Sequence, residues 1–488
     1  MTARVYLALG SNLGDRHGCL IEAVARLRAH IAVDAISSIY QTEPWGYADQ
    51  PRFLNAACAG TTELSAEDVL HFAKVIEAEM GRAATFRYGP RVIDIDVLLY
   101  DEAVIDTAHY QVPHPGLHQR GFVLAPLADI AAEVIHPVLH QSIAMLRNAV
   151  DLSQVTVFAL RPLRVGGRWF HWGRQTYVMG ILNVTPDSFS GDGLLLGLTP
   201  GPSPENEKQF SGEGSDRLPL SRNHLFDFGR GGRGVRWIAA TVERGRAMLA
   251  AGAHLIDVGG ESTRPSAHAV APGEELERVI PAIEALARAG VGPISVDTSK
   301  AEVARQALDA GAAIVNDVWG LRRDPAMAAL IAQRNVPAIV MHNRSKPRDA
   351  AFEAKLGGRY TGSHYDDLIP DIQRELLECV ELARQAGVPD HHLILDPGIG
   401  FGKTVPQNLE LLDRVGEVRS LGWPILIGPS RKSFIGYTLD LPPDQRLEGT
   451  AAAIAIGIAR GADLVRVHDV EAMARVAKMT DAIVRRGT

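Results

Sequence analysis

The chain has 488 residues, too many for one ordinary hydrophobic core, so its length predicts two domains or one domain with large insertions. Hydrophobic residues make up 46% and charged residues 22%, a balance that excludes a disordered or fibrous protein. The net charge of -7 argues against a general nucleic-acid binder, and no apolar run reaches the ~20 residues that a membrane span needs. Three widely spaced cysteines and the absence of a targeting pattern at the start lead us to expect a cytoplasmic protein.

The first half of the chain mixes short strands with helices. Residues 5–9 have a β-like composition and lead into a loop of turn-forming residues. Residues 65–80 carry apolar side chains at helical spacing, between a capping-box start and a glycine stop. Residues 92–100 indicate a strand with Asp94 and Asp96 on one face, since side chains two apart in a strand point the same way. This half is therefore predicted to be α+β.

A linker and a change of pattern follow. Residues 161–176 contain a proline and a glycine pair, and they divide the chain into predicted domains at 1–160 and 177–488. Eight short apolar runs then recur between helical patterns, each ending in polar or glycine residues: 178–183, 255–259, 294–297, 314–317, 338–342, 393–396, 425–429 and 464–468. Eight such units predict an α/β TIM (β/α)8 barrel, whose active site gathers the C-terminal ends of the strands. A doubly wound sheet is the alternative.

One segment departs from this rhythm. Residues 194–237 are rich in glycine, proline, serine and charge without a sustained period, which indicates a long flexible insertion after the first barrel strand. Within it, residues 230–234 read Arg-Gly-Gly-Arg-Gly, a sequence also found in RNA-binding tracts. One short copy in an acidic chain is more often a connector, so we expect no nucleic-acid partner.

Two carboxylates and several arginines form the first candidate site. Asp94 and Asp96 would present two carboxylates to one point, which suits a divalent metal that also binds phosphate oxygens. Two unpaired acids among apolar neighbours would otherwise be costly. Four arginines could supply the positive charge that phosphate chemistry needs: Arg82, Arg87, Arg91 and Arg120. The residue spacing of a nucleotide-binding P-loop is missing, so P-loop nucleotide binding is not expected.

The motifs of this half resemble a known family. Residues 8–15 (Ala-Leu-Gly-Ser-Asn-Leu-Gly-Asp), 40–44, 53–56 and 89–96 (Gly-Pro-Arg-Val-Ile-Asp-Ile-Asp) are similar to 6-hydroxymethyl-7,8-dihydropterin pyrophosphokinase. The resemblance spans roughly residues 5–150 and rests on several motifs in one order. It implies a ferredoxin-like fold and the transfer of diphosphate from ATP to the pterin hydroxymethyl group, with two magnesium ions.

The resemblance also implies roles for individual residues. Metal binding and catalysis fall to the carboxylates and two arginines: Asp94 and Asp96 as ligands, with Arg82 and Arg91 beside them. Pterin binding falls to an aromatic sandwich and an amide: Phe53, Phe122 and Asn55. Contacts to nucleotide or phosphate fall to Glu77, Arg82, Arg91, His114 and Arg120. Ala84 stands where the family usually has another arginine, so the contacts of that loop are expected to differ.

Polar residues at the predicted strand ends form a second candidate site. These residues are Asn183, Asp257, Asp297, Asn316, Asp396, Lys432, Arg466 and His468. Any one of them alone would be explained as a helix cap or turn former. Eight at one barrel mouth instead suit the polar edge of a flat heterocycle beside an anion.

These strand ends lie in motifs of a second family. Residues 180–190, 259–265, 395–403, 430–433 and 466–469 resemble dihydropteroate synthase. The family reaction joins a dihydropterin diphosphate to p-aminobenzoate and releases diphosphate. A pterin-binding methyltransferase of the corrinoid type is the alternative enzyme, and a decayed half that only binds is the alternative without catalysis.

This second resemblance again implies roles. Pterin binding falls to Asp257, Asp297, Asn316, Asp396, Lys432 and Arg466. Diphosphate binding falls to Asn183, Thr263, Arg264, Arg466 and His468, with magnesium near Asn183, and catalysis to Lys432, Arg466 and His468. The p-aminobenzoate site falls to Pro265 and Ser433, although Ser266 stands where the family commonly has glycine. Barrels of this family usually dimerise, so we expect a homodimer through the barrel domain.

Overall fold

The computed structural model describes residues 2–82, 89–107, 109–184, 232–262, 270–346 and 350–485. The chain forms two compact units. The first comprises residues 1–164, 169–176 and 481–488, and the second comprises residues 165–168 and 177–480. Among the described residues, no helix has both the length and the apolar character that crossing a membrane requires.

A six-stranded antiparallel sheet is the centre of the first unit. Its strands are β1 (Ala3–Ser11), β2 (Ala32–Ile36), β3 (Ile39–Thr42), β4 (Phe53–Thr62), β5 (Asp94–Tyr100) and, beyond the small pair β6 (Ile105–Asp106) and β7 (Gln111–Val112), β8 (Val155–Ala159). Their order is β5-β1-β4-β3-β8, with β2 also paired to β4. The four helices are α1 (Arg16–Leu27), α2 (Ala66–Glu79), α3 (Gly121–Ala131) and α4 (Ile143–Asn148).

Helices cover both faces of this sheet. Val5 and Leu7 of β1 face a core that includes residues of α1 and α2, whereas Tyr6 between them faces the core formed with α3 and α4. This alternation follows from the two-residue period of a strand. Each fully buried Leu or Val contributes about 2 kcal/mol relative to the exposed side chain, so the two cores fix the positions of β1, β4 and β5.

Local sequence signals mark the ends of the helices as expected. Helix α2 begins after Ser65, whose hydroxyl accepts the backbone N–H of Asp68. This cap satisfies one of the donors that every helix start leaves without an intrahelical partner. The predicted helix at residues 65–80 and the predicted strand at 92–100 are both present, the strand beginning two residues later than expected.

The second unit is a parallel barrel. After the paired short strands β9 (Leu163–Val165) and β10 (Arg168–Phe170), its strands are β11 (Tyr177–Asn183), β12 (Leu255–Gly259), β13 (Ile294–Asp297), β14 (Ile314–Asp317), β15 (Ala338–Met341), β18 (Leu393–Asp396), β19 (Leu426–Ile427) and β20 (Leu464–Val467), with a hairpin of β16 (Ala350–Glu353) and β17 (Gly357–Tyr360) outside the barrel. The order is β18-β15-β14-β13-β12-β11-β20-β19. A parallel bridge between Leu395 and Ile425 joins the two edge strands, which excludes an open doubly wound sheet. The predicted (β/α)8 fold is confirmed.

Helices follow the strands and bury the outer face of the barrel. They are α5 (Gly232–Ala250), α6 (Pro272–Arg288), α7 (Ala301–Ala310), α8 (Ala326–Arg334), α9 (Leu368–Gln385), α10 (Val405–Asp413), α11 (Val415–Arg419), α12 (Ser433–Leu439), α13 (Leu447–Ala459) and α14 (Val470–Val484). Strands β12, β14, β15 and β18 are buried at every position, as expected for parallel strands covered on both sides.

The predicted insertion at residues 194–237 lies outside the described residues except at its end. Residues 232–237 form the start of α5 instead of a connector. Trp237, the last residue of the predicted insertion, is buried in the barrel core. The helix that carries it therefore begins before the predicted end of the insertion. The predicted bounds of the rest of the insertion stay a prediction.

Candidate active sites

A cavity of about 270 Å³ opens beside the ends of β1, β4 and β5 in the first unit. The sequence-predicted residues that line it are Phe53, Asn55, Arg82, Arg91, Asp94, Asp96, Arg120 and Phe122. Gly10 of β1 pairs with Asn55 on one side and with Asp94 on the other. A side chain at Gly10 would contact Asn55 and Phe53, so glycine leaves room between the aromatic and acidic parts of the cavity.

Two arginines hold the first carboxylate of the acidic pair. Arg82 Nη1 lies 2.6 Å from Asp94 Oδ1, and Arg91 Nη1 lies 2.7 Å from Asp94 Oδ2. Both pairs are partly exposed to solvent at the cavity wall. Charge-assisted contacts of this length place two guanidinium groups where an anionic ligand would enter.

Glu77 supports this cluster from behind and does not line the cavity. Its carboxylate is buried, accepts the backbone N–H of Ile95 at 2.7 Å and accepts Lys74 Nζ at 2.7 Å. It also forms an ion pair with Arg82. Burial lowers the pKa of Arg82, but the carboxylates of Asp94 and Glu77 outweigh it, so the pKa is raised and the guanidinium stays charged.

Asp96 is the second member of the acidic pair, and its side chain is partly exposed. Burial raises its pKa, and the neighbouring Asp94 carboxylate raises it further. His114 lies 4.0 Å from Asp96, with its pKa lowered mainly by burial against the opposing effect of Asp96. Two carboxylates so close together favour a cation between them, because one positive charge relieves their repulsion.

The donor set fits magnesium bound together with a phosphate ligand. Asp94 and Asp96 lie on one face of β5, as the strand period predicts. Within the parts of the chain that the structure describes, no cluster of three or more acidic, histidine or cysteine side chains could hold a metal by itself. Magnesium is commonly held by one or two carboxylates with substrate phosphates and water completing its shell, so two carboxylates suffice.

The other end of the cavity is aromatic. Asn55 Nδ2 donates to Thr42 Oγ1 at 2.8 Å, which fixes the amide beside Phe53. The ring of Trp45 lies 6.1 Å from that of Phe122, between centroids. Sequence reasoning gave no role to five further lining residues: Gly10, Thr42, Glu43, Trp45 and Lys74. The available signal was their position, since three lie in the family motifs, Trp45 directly follows one, and Lys74 lies one helical turn before Glu77.

At the barrel mouth, Arg466 of β20 joins Asp257, in the middle of β12, to Asp297, which ends β13. Its Nε lies 2.6 Å from Asp257 Oδ2 and its Nη2 lies 2.7 Å from Asp297 Oδ2. Asn316 Nδ2 also donates to Asp257 Oδ2, at 3.1 Å. Four of the predicted pterin-binding residues therefore form one hydrogen-bonded group.

The charges in this group are strongly perturbed. Burial raises the pKa of Asp297 to about 7, opposed by Arg466 and reinforced by Asp257. Burial also lowers the pKa of Arg466, but Asp257 and Asp297 outweigh it and the net shift is upward. Perturbed groups clustered at strand ends are typical of ligand sites.

Asp396 and Lys432 face the same mouth. Asp396 Oδ1 accepts the backbone N–H of Gly398 at 2.7 Å. Lys432 donates to the carbonyl of Ile399, and its Nζ lies 4.3 Å from the ring centre of Phe401. Burial raises the pKa of Asp396, partly offset by Lys432, and burial lowers the pKa of Lys432 to about 8, partly offset by Asp396. The attraction between the two charges thus offsets part of the cost of removing each from water.

His468 is oriented by a serine on a neighbouring strand end. Ser430 Oγ lies 3.0 Å from His468 Nδ1 and accepts the His468 backbone N–H at 3.1 Å. Between Ser430 and Lys432, Arg431 pairs with Asp469, which ties the two strand-end loops together. The imidazole is therefore held in one orientation beside the loop that carries Lys432.

The remaining predicted residues are not part of these contact groups. Asn183 ends β11, next to β12 and β20, and offers one amide oxygen, which fits magnesium only as a single ligand of an ion held mainly by diphosphate. Ser433 begins α12 directly after Lys432. Thr263, Arg264, Pro265 and Ser266 lie outside the described residues, as does Ala84.

Two family models match the chain. Residues 6–132 match the model of 7,8-dihydro-6-hydroxymethylpterin-pyrophosphokinase. Residues 227–468 match the model described as pterin binding enzyme. The first match contains the acidic and aromatic cavity, and the second contains most of the polar strand ends of the barrel.

Relatives match over nearly the whole chain. The folic acid synthesis protein fol1 of Pneumocystis carinii is 37% identical over 98% of this chain, and the chain spans 60% of the length of that relative. The mitochondrial folate synthesis bifunctional protein of Arabidopsis thaliana is 35% identical over 99% of this chain and 83% of its own length.

Solved structures match the barrel. The dihydropteroate synthase of Clostridium difficile, solved in the presence of pteroic acid, is 40% identical, with a TM-score of 0.51 over 64% of this chain and 99% of that one. The two family models match in the order pyrophosphokinase then pterin-binding enzyme, and the plant relative matches along nearly the whole chain. The chain belongs to the family of bifunctional folate synthesis proteins, in which a 7,8-dihydro-6-hydroxymethylpterin-pyrophosphokinase region precedes a dihydropteroate synthase region.

Proposed function

We propose that this chain performs two successive steps of folate synthesis. The first unit transfers diphosphate from ATP to 6-hydroxymethyl-7,8-dihydropterin. The second unit condenses the pterin diphosphate with p-aminobenzoate to give 7,8-dihydropteroate and diphosphate. The observation that carries the proposal is the pairing, in one chain, of an acidic and aromatic cavity with a polar barrel mouth, each suited to a flat ring beside phosphate.

In the first step the aromatic end of the cavity binds the pterin. Phe53 and Phe122 stack on its two faces, and Asn55, held by Thr42, bonds its polar edge. Arg82 and Arg91 exchange part of their contact with Asp94 for phosphate oxygens, while Arg120 and His114 bind the nucleotide side. Glu77 acts through Arg82 and Lys74, since it lies behind them. Asp94 and Asp96 would hold magnesium, which would supply positive charge to the triphosphate.

In the second step the barrel mouth binds the pterin diphosphate. Asp257, Asp297, Asn316 and Asp396 offer acceptors and an amide to the pterin edge, as a flat polar heterocycle requires. Lys432 and Arg466 provide cations, and His468 an imidazole, near the departing diphosphate. They stabilise the charge that grows as the C–O bond breaks, so no general base is strictly needed before the aniline attacks.

A coupled assay tests both assignments. The chain is supplied with ATP, Mg²⁺ and p-aminobenzoate, and with either hydroxymethyldihydropterin or its pre-formed diphosphate. Asp96→Ala blocks product formation from the alcohol and spares formation from the diphosphate, because only the first step uses the acidic pair. Lys432→Ala blocks both routes.

Two exposed residues provide matched controls. Asp106→Ala and Lys478→Ala remove the same charges at solvent-facing positions and leave both routes unchanged. If Asp96→Ala forms product from the alcohol at the wild-type rate, the assignment of Asp96 as a metal ligand is wrong. A wild-type chain that yields no dihydropteroate from the diphosphate removes the second activity.

The barrel also carries a proposed dimer contact. Ile456 of α13 is 49% exposed, on a stripe with the exposed residues Ala452 and Ala459, in a helix that is apolar on most sides. An exposed apolar stripe on one helix favours burial against a second copy. Light scattering of the chain against an Ile456→Glu variant tests this, with a dimer expected for the wild type and a monomer for the variant.

We retain the cytoplasm as the proposed location. Cys19, Cys58 and Cys379 are free thiols, and two of them are buried, which suits a reducing compartment. The Arabidopsis relative is described as mitochondrial, so fractionation of cells that produce the tagged chain is the deciding measurement.

A further inference from the structure

Lys403 is a buried lysine that neither proposed step uses. It ends the glycine-rich loop after β18 and is only 2% exposed. Its Nζ lies 2.9 Å from the carbonyl of Gly398, 3.2 Å from that of Phe401 and 3.0 Å from Nδ1 of His342. An ammonium group has three N–H donors, so these three acceptors can use all of them. The donors of this ammonium group are therefore all used by contacts within the protein.

His342 lies between Lys403 and Glu375 behind the loop. Its ring is fully buried, and Nε2 lies 3.2 Å from Glu375 Oε2 on α9. Because Nδ1 accepts from Lys403, the ring proton resides on Nε2 and faces Glu375. Burial, reinforced by Lys403, lowers the pKa of His342 to about 3, so the imidazole stays neutral and keeps this acceptor. Glu375 in turn pairs with Arg344.

The loop held by Lys403 contacts two of the proposed pterin-binding groups. The backbone N–H of Gly398 bonds Asp396, and the carbonyl of Ile399 accepts from Lys432. Gly398 adopts a φ of +72°, and a side chain there would lie 1.9 Å from the carbonyl oxygen of His342. The loop thus lies against His342 in a conformation that only glycine allows.

We propose that Lys403 is a positioning residue for the dihydropteroate synthase step, which fixes Asp396 and Lys432 by tying both ends of the 398–401 loop to His342. The inference rests on the proposed function of the barrel. Lys403 acts through the loop and touches no substrate.

Burial disfavours the charged form of the Lys403 side chain. Desolvation lowers the pKa of Lys403 to about 7, with Asp396 opposing the shift. Groups at a ligand site held by fully satisfied supporting contacts keep their geometry best. Loss of the three donors would let the 398–401 loop move, and with it the partners of Asp396 and Lys432.

Equilibrium titration of the full chain with dihydropterin diphosphate tests the inference. Lys403→Met, which keeps the length of the side chain and deletes its donors, is expected to weaken binding by about tenfold or more, since small displacements of supporting groups cost this much. His342→Asn keeps an acceptor for Lys403 and is expected to bind within threefold of the wild type. His342→Leu removes the acceptor and is expected to bind as weakly as Lys403→Met.

A control separates positioning from general instability. Asp463 is buried before the start of β20, away from the mouth, and accepts the backbone N–H of Ile425 at 3.0 Å. Asp463→Asn is expected to lower the melting temperature and leave the dissociation constant unchanged. Wild-type affinity in Lys403→Met, or in His342→Leu if Lys403→Met does not fold, overturns the inference. If the wild-type chain binds dihydropterin diphosphate but forms no dihydropteroate, the proposed function is wrong. The comparison of dissociation constants among the variants would still decide the role of Lys403.

Discussion

Arg82 Nη1 lies 2.6 Å from Asp94 Oδ1, so a guanidinium proposed to meet phosphate is held by a carboxylate proposed to hold metal. The contact keeps two opposite charges satisfied at the wall of the cavity. When nucleotide and magnesium bind together, the contact between Arg82 and Asp94 must therefore loosen, so that Arg82 can contact phosphate and Asp94 can bind the metal.

Replacement of Arg82 separates the two activities. Arg82→Met is expected to lower the rate of AMP release with ATP and hydroxymethyldihydropterin by about a hundredfold, as for loss of a group that stabilises transition-state charge. Synthesis of dihydropteroate from the pre-formed diphosphate stays at the wild-type rate. Arg26→Met, at an exposed ion pair on α1, serves as the control. Equal losses on both routes would show that Arg82 supports folding and not phosphoryl transfer.

Glu77 is expected to matter for stability as well as for the first step. Glu77→Leu leaves the backbone N–H of Ile95 and the charges of Lys74 and Arg82 without their carboxylate, at a cost of about 3 kcal/mol. Glu77→Gln keeps an acceptor for Ile95 and is expected to cost less. Calorimetric melting of the two variants gives the comparison, and equal melting temperatures would contradict the supporting role.

Loss of Arg466 should produce a pH-dependent loss of stability in the barrel. Arg466→Met leaves two buried carboxylates without their guanidinium, which is expected to cost about 3 to 5 kcal/mol at pH 8. The folded pKa of Asp297 is about 7, above its ordinary value of 3.8, and removing Arg466 raises it further. A group with a raised pKa stabilises the fold at low pH and loses this contribution as the pH rises through the folded pKa.

The Arg466→Met barrel should therefore lose less stability at pH 5 than at pH 8. Denaturant unfolding at the two pH values measures the difference. Asp297→Asn, which keeps the Arg466 contact to Asp257, is the matched comparison and should show the weaker pH dependence. A deficit of Arg466→Met that is the same at both pH values would contradict the assignment of the raised pKa to Asp297.

The second step should weaken in alkaline solution because of Lys432. Its pKa is about 8, so the ammonium loses its proton as the pH rises through that value. The kcat/KM for pterin diphosphate is expected to fall over this range. Lys432→Arg keeps the charge, since a guanidinium titrates far above this range, so its profile should lose the fall near pH 8 and keep the shallower fall near pH 7 that comes from Lys403. The difference between the two profiles isolates Lys432 from Lys403, whose pKa of about 7 affects both proteins.

The parts of the fold that follow from local periodicity could be predicted from the sequence. Four of the eight barrel strands begin and end at the predicted residues, because each is a short buried run that ends at a polar or glycine residue. Asp94 and Asp96 share a face because the strand period requires it. The strand period could not reveal β8, because four of its five residues pair with β3, more than 100 positions earlier in the chain.

Side-chain contacts that depend on the tertiary fold also could not be predicted from the sequence. The pairing of Arg466 with Asp257 and Asp297 joins three strands, and Arg466 lies far from both acids in the chain. Lys403 stands in a glycine-rich motif, and its amine is directed at His342. Desolvation and long-range packing decide such contacts, and neither leaves a periodic signal.

A crystal structure of the chain with hydroxymethylpterin, a non-hydrolysable ATP analogue and Mg²⁺ in one soak, and with pterin diphosphate in another, tests the two-site account most directly. The account predicts a pterin between Phe53 and Phe122 with metal at Asp94 and Asp96, and a second pterin at Asp396 and Lys432 in the barrel. Ligand density at only one of these places, or at neither, would contradict it.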